Sequence, residues 1–463
     1  MAENSGSLRA HALAIWQAAV QAVRADDLVI AALADPASEL REMVHKAPRI
    51  VIVGAGKAGA AMSAGLEKAL ADSLAKIEGI VNVPAEVVRP LRAIRLHAAR
   101  RAGTNQPTQE GVAGTLAILN LLASAGPDDG CICLLSGGGS ALLPAPVEGV
   151  SLEDKQQVTR LLHACGATIN EMNAVRKHLS RSKGGRLAEA FKGRALFSLI
   201  ISDVIGDPLE VIASGPTAAD PTTFADALAV LDKYGLIAGQ TGEPPPQQVP
   251  ASVVHYLQEG VAGRNPETLK VLPTTVQNRV IGNNAMALAA ATHKAESLGY
   301  HVLNLGAHIE GETRVVAAAM AGLVSRIRND GKPVRPPACV LSGGETTVTL
   351  GRDHGLGGRN QEFVLAAAVS LGRSGLTDAI VLSGGTDGED GPTDAAGASA
   401  DSATLTRAEK EQLALSDYLD RHDTYHFFEK TGDLLKGGLT QTNVMDVRII
   451  LVQEAACFQT EAK

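Results

Sequence analysis

RIVIVGAGKAGAAMSAGLEKAL, residues 49–70, changes its period part-way along. RIVIVGAG (49–56) is a short β-branched run that ends in glycine, and the alanine-rich remainder is helical in character. Strand, glycine turn, helix is the opening of a βα unit. The unit recurs. CICLLSGGGSALL (131–143), ALFSLIISDVIGDP (195–208), ACVLSGGETTV (338–348) and AIVLSGGTDGEDG (379–391) each run from an apolar strand into glycine-rich or acidic residues. Helical stretches lie between them, at 109–124, 151–172, 223–234, 284–298, 311–328 and 360–371. Upstream, Leu8, Ala12, Ile15, Ala19 and Val23 keep helical spacing, and Asp35-Pro36 breaks the region 8–47 into two helices. This alternation predicts an α/β protein with mainly parallel sheets. Ligands in such sheets sit beyond the carboxyl ends of the strands, where each of these glycine motifs falls.

GLIAGQTGEPPPQQVP (235–250) can be neither helix nor central strand. It divides the chain into two expected α/β domains, 1–240 and 250–463, with the active site in the interdomain cleft. Aromatic residues are only 3%, so the core must be built from small and aliphatic side chains. Net charge is −8 and no basic block stands out, which argues against nucleic acid and membrane surfaces as partners. The five cysteines form no C-x-x-C pair; those at 131, 133 and 339 sit in apolar runs and read as buried hydrophobes in a reducing compartment. The start lacks a secretory pattern, and no apolar run reaches the roughly 18 residues of a membrane span. The expected location is cytoplasmic.

Gly54-Ala-Gly56-Lys57-Ala-Gly59 fits G-x-G-x-x-G, a turn that offers backbone N–H groups to an anion. Lys57 sits inside it, and the next strand ends in Pro84 rather than in an acid that would hold a ribose. Lys57 therefore reads as a charge aimed at a phosphoryl group or carboxylate. Ser136, Gly137 and Gly138 follow a buried strand and can form a nest of N–H donors. No G-x-x-x-x-G-K-[ST] occurs, so phosphates are bound without a P-loop, and no G-x-S-x-G supports a hydrolase. NEMNAVRKHLSRSKGGR (170–186) carries five Lys and Arg, of which Arg176 and Lys183 are the better anion ligands. Asp203 and Asp207 stand four apart on a glycine turn, a spacing able to hold Mg²⁺ or to take a hydroxyl proton. Ser214-Gly215-Pro216-Thr217 is a second turn for the same pocket. Arg359 opens a helix after GLGG, where a guanidinium can neutralise phosphoryl oxygens. SGGTDGEDGPTD (383–394) packs four carboxylates into a turn, for loop geometry or a metal–nucleotide.

Together these blocks resemble the glycerate 2-kinase family, the class II glycerate kinases with a C-terminal MOFRL domain. The matching pieces are GAGKAG at 54, LSGGGSALL at 135, NAVRKHLSRSKGGRLA at 173, SDVIGDPLEVIASGPT at 202, IGNN at 281, LSGGE at 341, GGRNQE at 357, SGGTDGEDGPTDAAGA at 383 and TNVMD at 442. The resemblance implies a Rossmann-like N-terminal domain, a MOFRL-type C-terminal one, and transfer of a phosphoryl group from ATP with Mg²⁺ to the 2-hydroxyl of D-glycerate. It marks Lys57 and Arg359 as the functional charges and Asp203 as a catalytic or metal-binding acid; a homodimer is compatible with it. Where family members often carry an H-P-x-P-D-like stretch, this chain has GTNQPT (103–108), which leaves a related hydroxy acid open as substrate. Members have also been labelled hydroxypyruvate reductases, a rival whose one support here is the G-x-G-x-x-G turn. A non-catalytic sugar-acid sensor is a third reading.

Overall fold

Residues 50–55 lie in the middle of a sheet in the computed structural model, which describes residues 2–101, 106–237 and 248–454. The strands are β1 (Ile50–Ala55), β2 (Ile77–Pro84), β3 (Ile94–Arg100), β4 (Gly130–Leu135), β5 (Ala195–Ile201) and β6 (Val276–Gly282). Their order is β3-β2-β1-β4-β5-β6, parallel throughout. Every residue of β1 and β4 is buried. That explains their unbroken apolar runs, because helices cover both faces of such strands. The order reverses between β1 and β4, so a crevice opens beyond Ala55 and Leu135. A buried carboxylate anchors the far edge: Glu67 accepts from the backbone N–H groups of Arg92, Ala93 and Ile94 at 2.9, 2.7 and 2.9 Å.

A second, all-helical core belongs to the same unit. Helices Leu152–Ala164, Ile169–His178, Phe224–Lys233 and Ala251–Val261 bury Val158, Leu162, Val175, Phe224, Leu231, Val253 and Leu257 together. The first three open with reciprocal side-chain caps, Ser151 with Asp154, Thr168 with Glu171 and Thr223 with Asp226.

The second sheet departs from the parallel expectation. Its strands are β7 (His301–Asn304), β9 (Ala338–Gly344), β11 (Ala379–Gly385), β12 (Gly397–Asp401), β13 (Leu434–Leu435) and β14 (Asp446–Val452), with a separate parallel pair of β8 (Gly311–Glu312) and β10 (Thr346–Thr347). The order is β13-β12-β11-β14-β9-β7. β14 runs antiparallel between β9 and β11, and only β7 and β9 pair in parallel. The two Ser-Gly-Gly strands do share a direction, but β14 inserts between them. Buried on both faces, DVRIILV looks the same in either orientation. Helices Thr313–Asp330 and Arg359–Leu376 contribute to the apolar core of this sheet.

The chain does not divide at 240–250. One compact unit is Ala25–Gly282; the other joins the residues up to Arg24 to those from Asn283 onward. β6 completes the first sheet, so residues 250–282 stay with it. Helix Ala2–Ala22 belongs to the late unit: Trp16 Nε1 donates to the Gly384 carbonyl, and Arg9 pairs with Asp401 at 2.8 Å and Asp433 at 2.6 Å. Residues 238–247 of the proline-rich stretch lie outside the described residues. Cys131, Cys133 and Cys339 are buried, and burial raises their thiol pKa values, which makes them poor nucleophiles. Among the described residues no helix is long and apolar enough to cross a membrane.

Glu67→Ala would leave three buried-edge N–H groups without their acceptor. The expected loss is about 2–4 kcal/mol of unfolding free energy by urea denaturation, and an unchanged midpoint would refute the anchoring role.

Candidate functional site

Beyond β1 and β4 the two glycine turns bind to each other. The Lys57 N–H donates to the Gly137 carbonyl at 2.8 Å, and the Ala58 N–H donates to Ser136 Oγ at 3.1 Å. Gly54 and Gly56 are there for contact: a Cβ on either would lie 2.0 Å from the Leu134 carbonyl oxygen or from Ser136 Oγ. Gly54, Gly56 and Ser136, three of the expected anion-binding residues, close the strand-end turn. Gly138, with φ +75°, carries the chain into the crevice, and the stem of Lys57 passes beside it.

Gly138 and Ser140 line a cavity of about 590 Å³ with Gln106, Pro107, Lys155, Arg160, His163, Arg176 and Lys183. Cations crowd onto Ser140. Arg176 Nη2 donates to its hydroxyl, and Lys183 Nζ reaches its carbonyl at 2.7 Å and its hydroxyl at 2.8 Å. Ser214, from the second turn anticipated for this pocket, hydrogen-bonds the same hydroxyl at 2.9 Å and donates to Asn173 Oδ1. Two others of the basic run are committed elsewhere: Lys177 is paired with buried Asp220, and Arg186 holds the carbonyls of Ser180 and Pro266. Of this run, Arg176 and Lys183 line the cavity.

Lys155 was not anticipated. Its Nζ is buried and has no hydrogen-bond partner. Burial, then Arg176 and Arg186, lower its pKa to about 7. Burial and the neighbouring cations Arg176, Lys155 and Lys177 likewise push Lys183 well below the usual lysine range. A signal did exist. Lys155 falls at helical spacing with the buried Leu152, Val158 and Leu162, a position where a lysine needs a reason to be.

Asp203 and Asp207 are half-buried on the loop after β5. Among the described residues, no three His, Cys, Asp or Glu side chains gather into a set that could hold a metal. Of the stretch 103–108, residues 103–105 lie outside the described residues, while Gln106 and Pro107 line the cavity and Thr108 caps helix Gln109–Ala123.

Arg359 is the centre of a different cluster, in the unit that ends the chain. Its Nε and Nη2 donate to Asp446 at 2.7 and 3.0 Å, and Nη1 to Glu345 at 2.7 Å. The guanidinium is thus paired with two carboxylates, and against burial the pull of Asp446 and Glu345 raises its pKa. Asn360 links Asp446 to Asp390, and Asp390 accepts the N–H groups of Asn360 and Gln361 at 2.9 and 2.8 Å. Burial pushes the Asp390 carboxyl up to about 6. Asp390 of the acidic turn thus caps the helix that Arg359 begins. Gly358 allows this, since a Cβ there would lie 2.3 Å from the Asp390 carboxyl carbon. The Ser-Gly-Gly glycines are also packing devices: Gly343 meets Asn284, and Gly384 meets Trp16. A cavity of about 370 Å³ lies beside Arg359, lined among others by Glu345, Glu362 and His422. Glu362 there accepts from Arg314 Nε at 2.6 Å and lies 3.1 Å from His422 Nδ1, a trio the sequence did not reveal.

Residues 338–446 match the MOFRL family, and residues 11–244 match a domain of unknown function, DUF4147. A glycerate 2-kinase of Pyrococcus horikoshii is 37% identical, over 87% of this chain and 87% of its own. The chain belongs to the glycerate kinase family. A relative in Agrobacterium vitis that bears a hydroxypyruvate reductase name is 41% identical, over 91% of this chain and 92% of its own. The crystal structure of a glycerate kinase from Thermotoga maritima superposes with a TM-score of 0.82 at 34% identity, covering 96% of this chain and 100% of that one. The family likeness thus spans both units.

A lysine that is neutral when folded but charged when unfolded makes stability depend on pH. Between its folded value near 7 and the unfolded value near 10.4 the unfolded chain holds the extra proton, so stability rises with pH across that window. Lys155→Met is therefore expected to stabilise the protein, most strongly below pH 7, with the gain fading towards pH 10. Thermal melts across that range check it; a destabilised variant at pH 6 would contradict the buried, unpaired amine.

Proposed function

We propose that this glycerate kinase family member transfers the γ-phosphoryl group of ATP to the 2-hydroxyl of D-glycerate, releasing 2-phosphoglycerate and ADP. The observation that carries the reading is the cavity at Ser140, where Arg176, Lys183 and Lys155 converge beyond the β1–β4 crevice. In this reading Arg176, Lys183 and the Gly137–Gly138 turn hold the anionic end of the substrate. Lys57, beside Gly138, adds positive charge where the phosphoryl group develops negative charge. Arg359 is oriented by its bidentate bond to Asp446. Its third bond is exchangeable, because Glu345 is 45% exposed and a phosphoryl oxygen can replace it.

The 2-hydroxyl oxygen forms the new P–O bond as the bond from the γ-phosphorus to the bridging oxygen of ADP breaks. Asp203 or Asp207 takes the hydroxyl proton. Mg²⁺ suits this donor set, since it accepts one or two carboxylates alongside phosphate oxygens. Asp203 and Asp207 would hold it, and when bound it supplies charge neutralisation on the phosphates.

The reductase name of the Agrobacterium relative motivates a second assay. Two features oppose nicotinamide binding: Lys57 inside the turn, and β2 ending at Pro84 without an acid. Purified protein should convert ATP to ADP with glycerate and should not oxidise NADH or NADPH with hydroxypyruvate. NMR of the product should show phosphorylation at carbon 2. Lys57→Ala and Arg359→Ala should each fold and lose on the order of 10²–10³ in turnover. Near wild-type turnover in either would reject its role.

A further inference from the structure

We infer that the Ser140 cavity is a phosphate subsite in which Lys155 is the specificity-determining residue, so that it takes a doubly charged phosphoryl group in preference to a single carboxylate. The inference rests on the kinase reading only for which phosphates are delivered to the cavity.

The argument is one of charge. Lys155, Arg176 and Lys183 all reach this cavity, and Arg160 and His163 stand at its lining, without a carboxylate among these groups. Lys177, the one other cation close to Lys183, is offset by Asp220. On the helix that carries Lys155, the neighbouring Asp154 is turned to the Ser151 backbone N–H and to Ser252. Arg176 and Lys183 have Ser140 as a partner, so a carboxylate could be bound by them alone. Lys155 Nζ, buried and without a partner, has nothing to bond until a ligand arrives. A monocarboxylate brings one charge and two oxygens, which Arg176 and Lys183 can engage without Lys155. A phosphate monoester offers two charges and a third oxygen, enough to engage all three side chains. Arrival of that dianion favours the charged amine, so Lys155 gains a proton on binding.

Two phosphates could be delivered: that of a phosphorylated hydroxy acid, or the phosphates of the nucleotide. The test uses the full chain and titration calorimetry with inorganic phosphate at pH 7.5, in two buffers of different ionisation enthalpy. Expected are saturable binding, proton uptake, and a loss of at least roughly tenfold in phosphate affinity in Lys155→Met, as for an unmade bond to a charged group. The loss for glycerate should be clearly smaller. Lys155→Arg, which keeps the charge, should recover most of the phosphate affinity. Displacement of phosphate by 2-phosphoglycerate but not by ADP assigns the subsite to the acid; the reverse assigns it to the nucleotide. Absence of phosphate binding, displacement by neither, or an equal loss for phosphate and glycerate in Lys155→Met overturns the inference. ADP formation from glycerate without Lys155-dependent phosphate binding sinks this inference and spares the kinase reading. Lys155-dependent phosphate binding without ADP formation does the opposite.

Discussion

The closeness of β1 to β4 is the constraint on which the candidate site depends. With no side chain at Gly54 or Gly56, the first strand-end turn presses onto the second and the two exchange hydrogen bonds through Lys57 and Ser136. That contact fixes where Gly138 leaves the sheet, and Gly138 and Ser140 then form one wall of the cavity. The glycine motif is thus first a packing device; its anion chemistry belongs to residues that the packed turn positions.

Charge is handled in opposite ways in the two units. In residues 25–282, cations are gathered around a serine with little to offset them, and their proton affinity falls. Such a pocket is unfavourable when empty and favourable when an anion fills it, so stability is traded for binding. In the unit that ends the chain, Arg359 and Arg448 are interleaved with Asp446, Glu345 and Asp390. Asp446 stays ionised despite complete burial because, against desolvation, Arg359 and Arg448 hold it there. That cluster holds a helix start in place.

What could be read from the sequence followed periodicity and local motif chemistry. β1 and β4 announced themselves by β-branched or apolar runs closed by glycine, and Arg176 and Lys183 by basic density beside a flexible turn. What escaped were matters of pairing. The direction of β14 depends on which neighbours it joins, and a strand buried on both faces carries no mark of that. The partners of Arg359 could not be read from the sequence, because they lie 14 residues before it and 87 after. Lys155 was hidden inside an ordinary helical pattern. The division of the chain was misplaced for a related reason: a proline-rich stretch marks a loop, but only strand pairing shows to which sheet the residues after it belong.

The attachment of helix Ala2–Ala22 to the late unit has a consequence for synthesis on the ribosome. The helix is made early, yet Gly384, Asp401 and Asp433, which receive Trp16 and Arg9, are made several hundred residues later. The segment 25–282 can complete its parallel sheet while the apolar stripe of the leading helix still waits for its partners. Until those partners are made, the stripe must be shielded by something other than its final neighbours, which makes the nascent helix a natural client for chaperones.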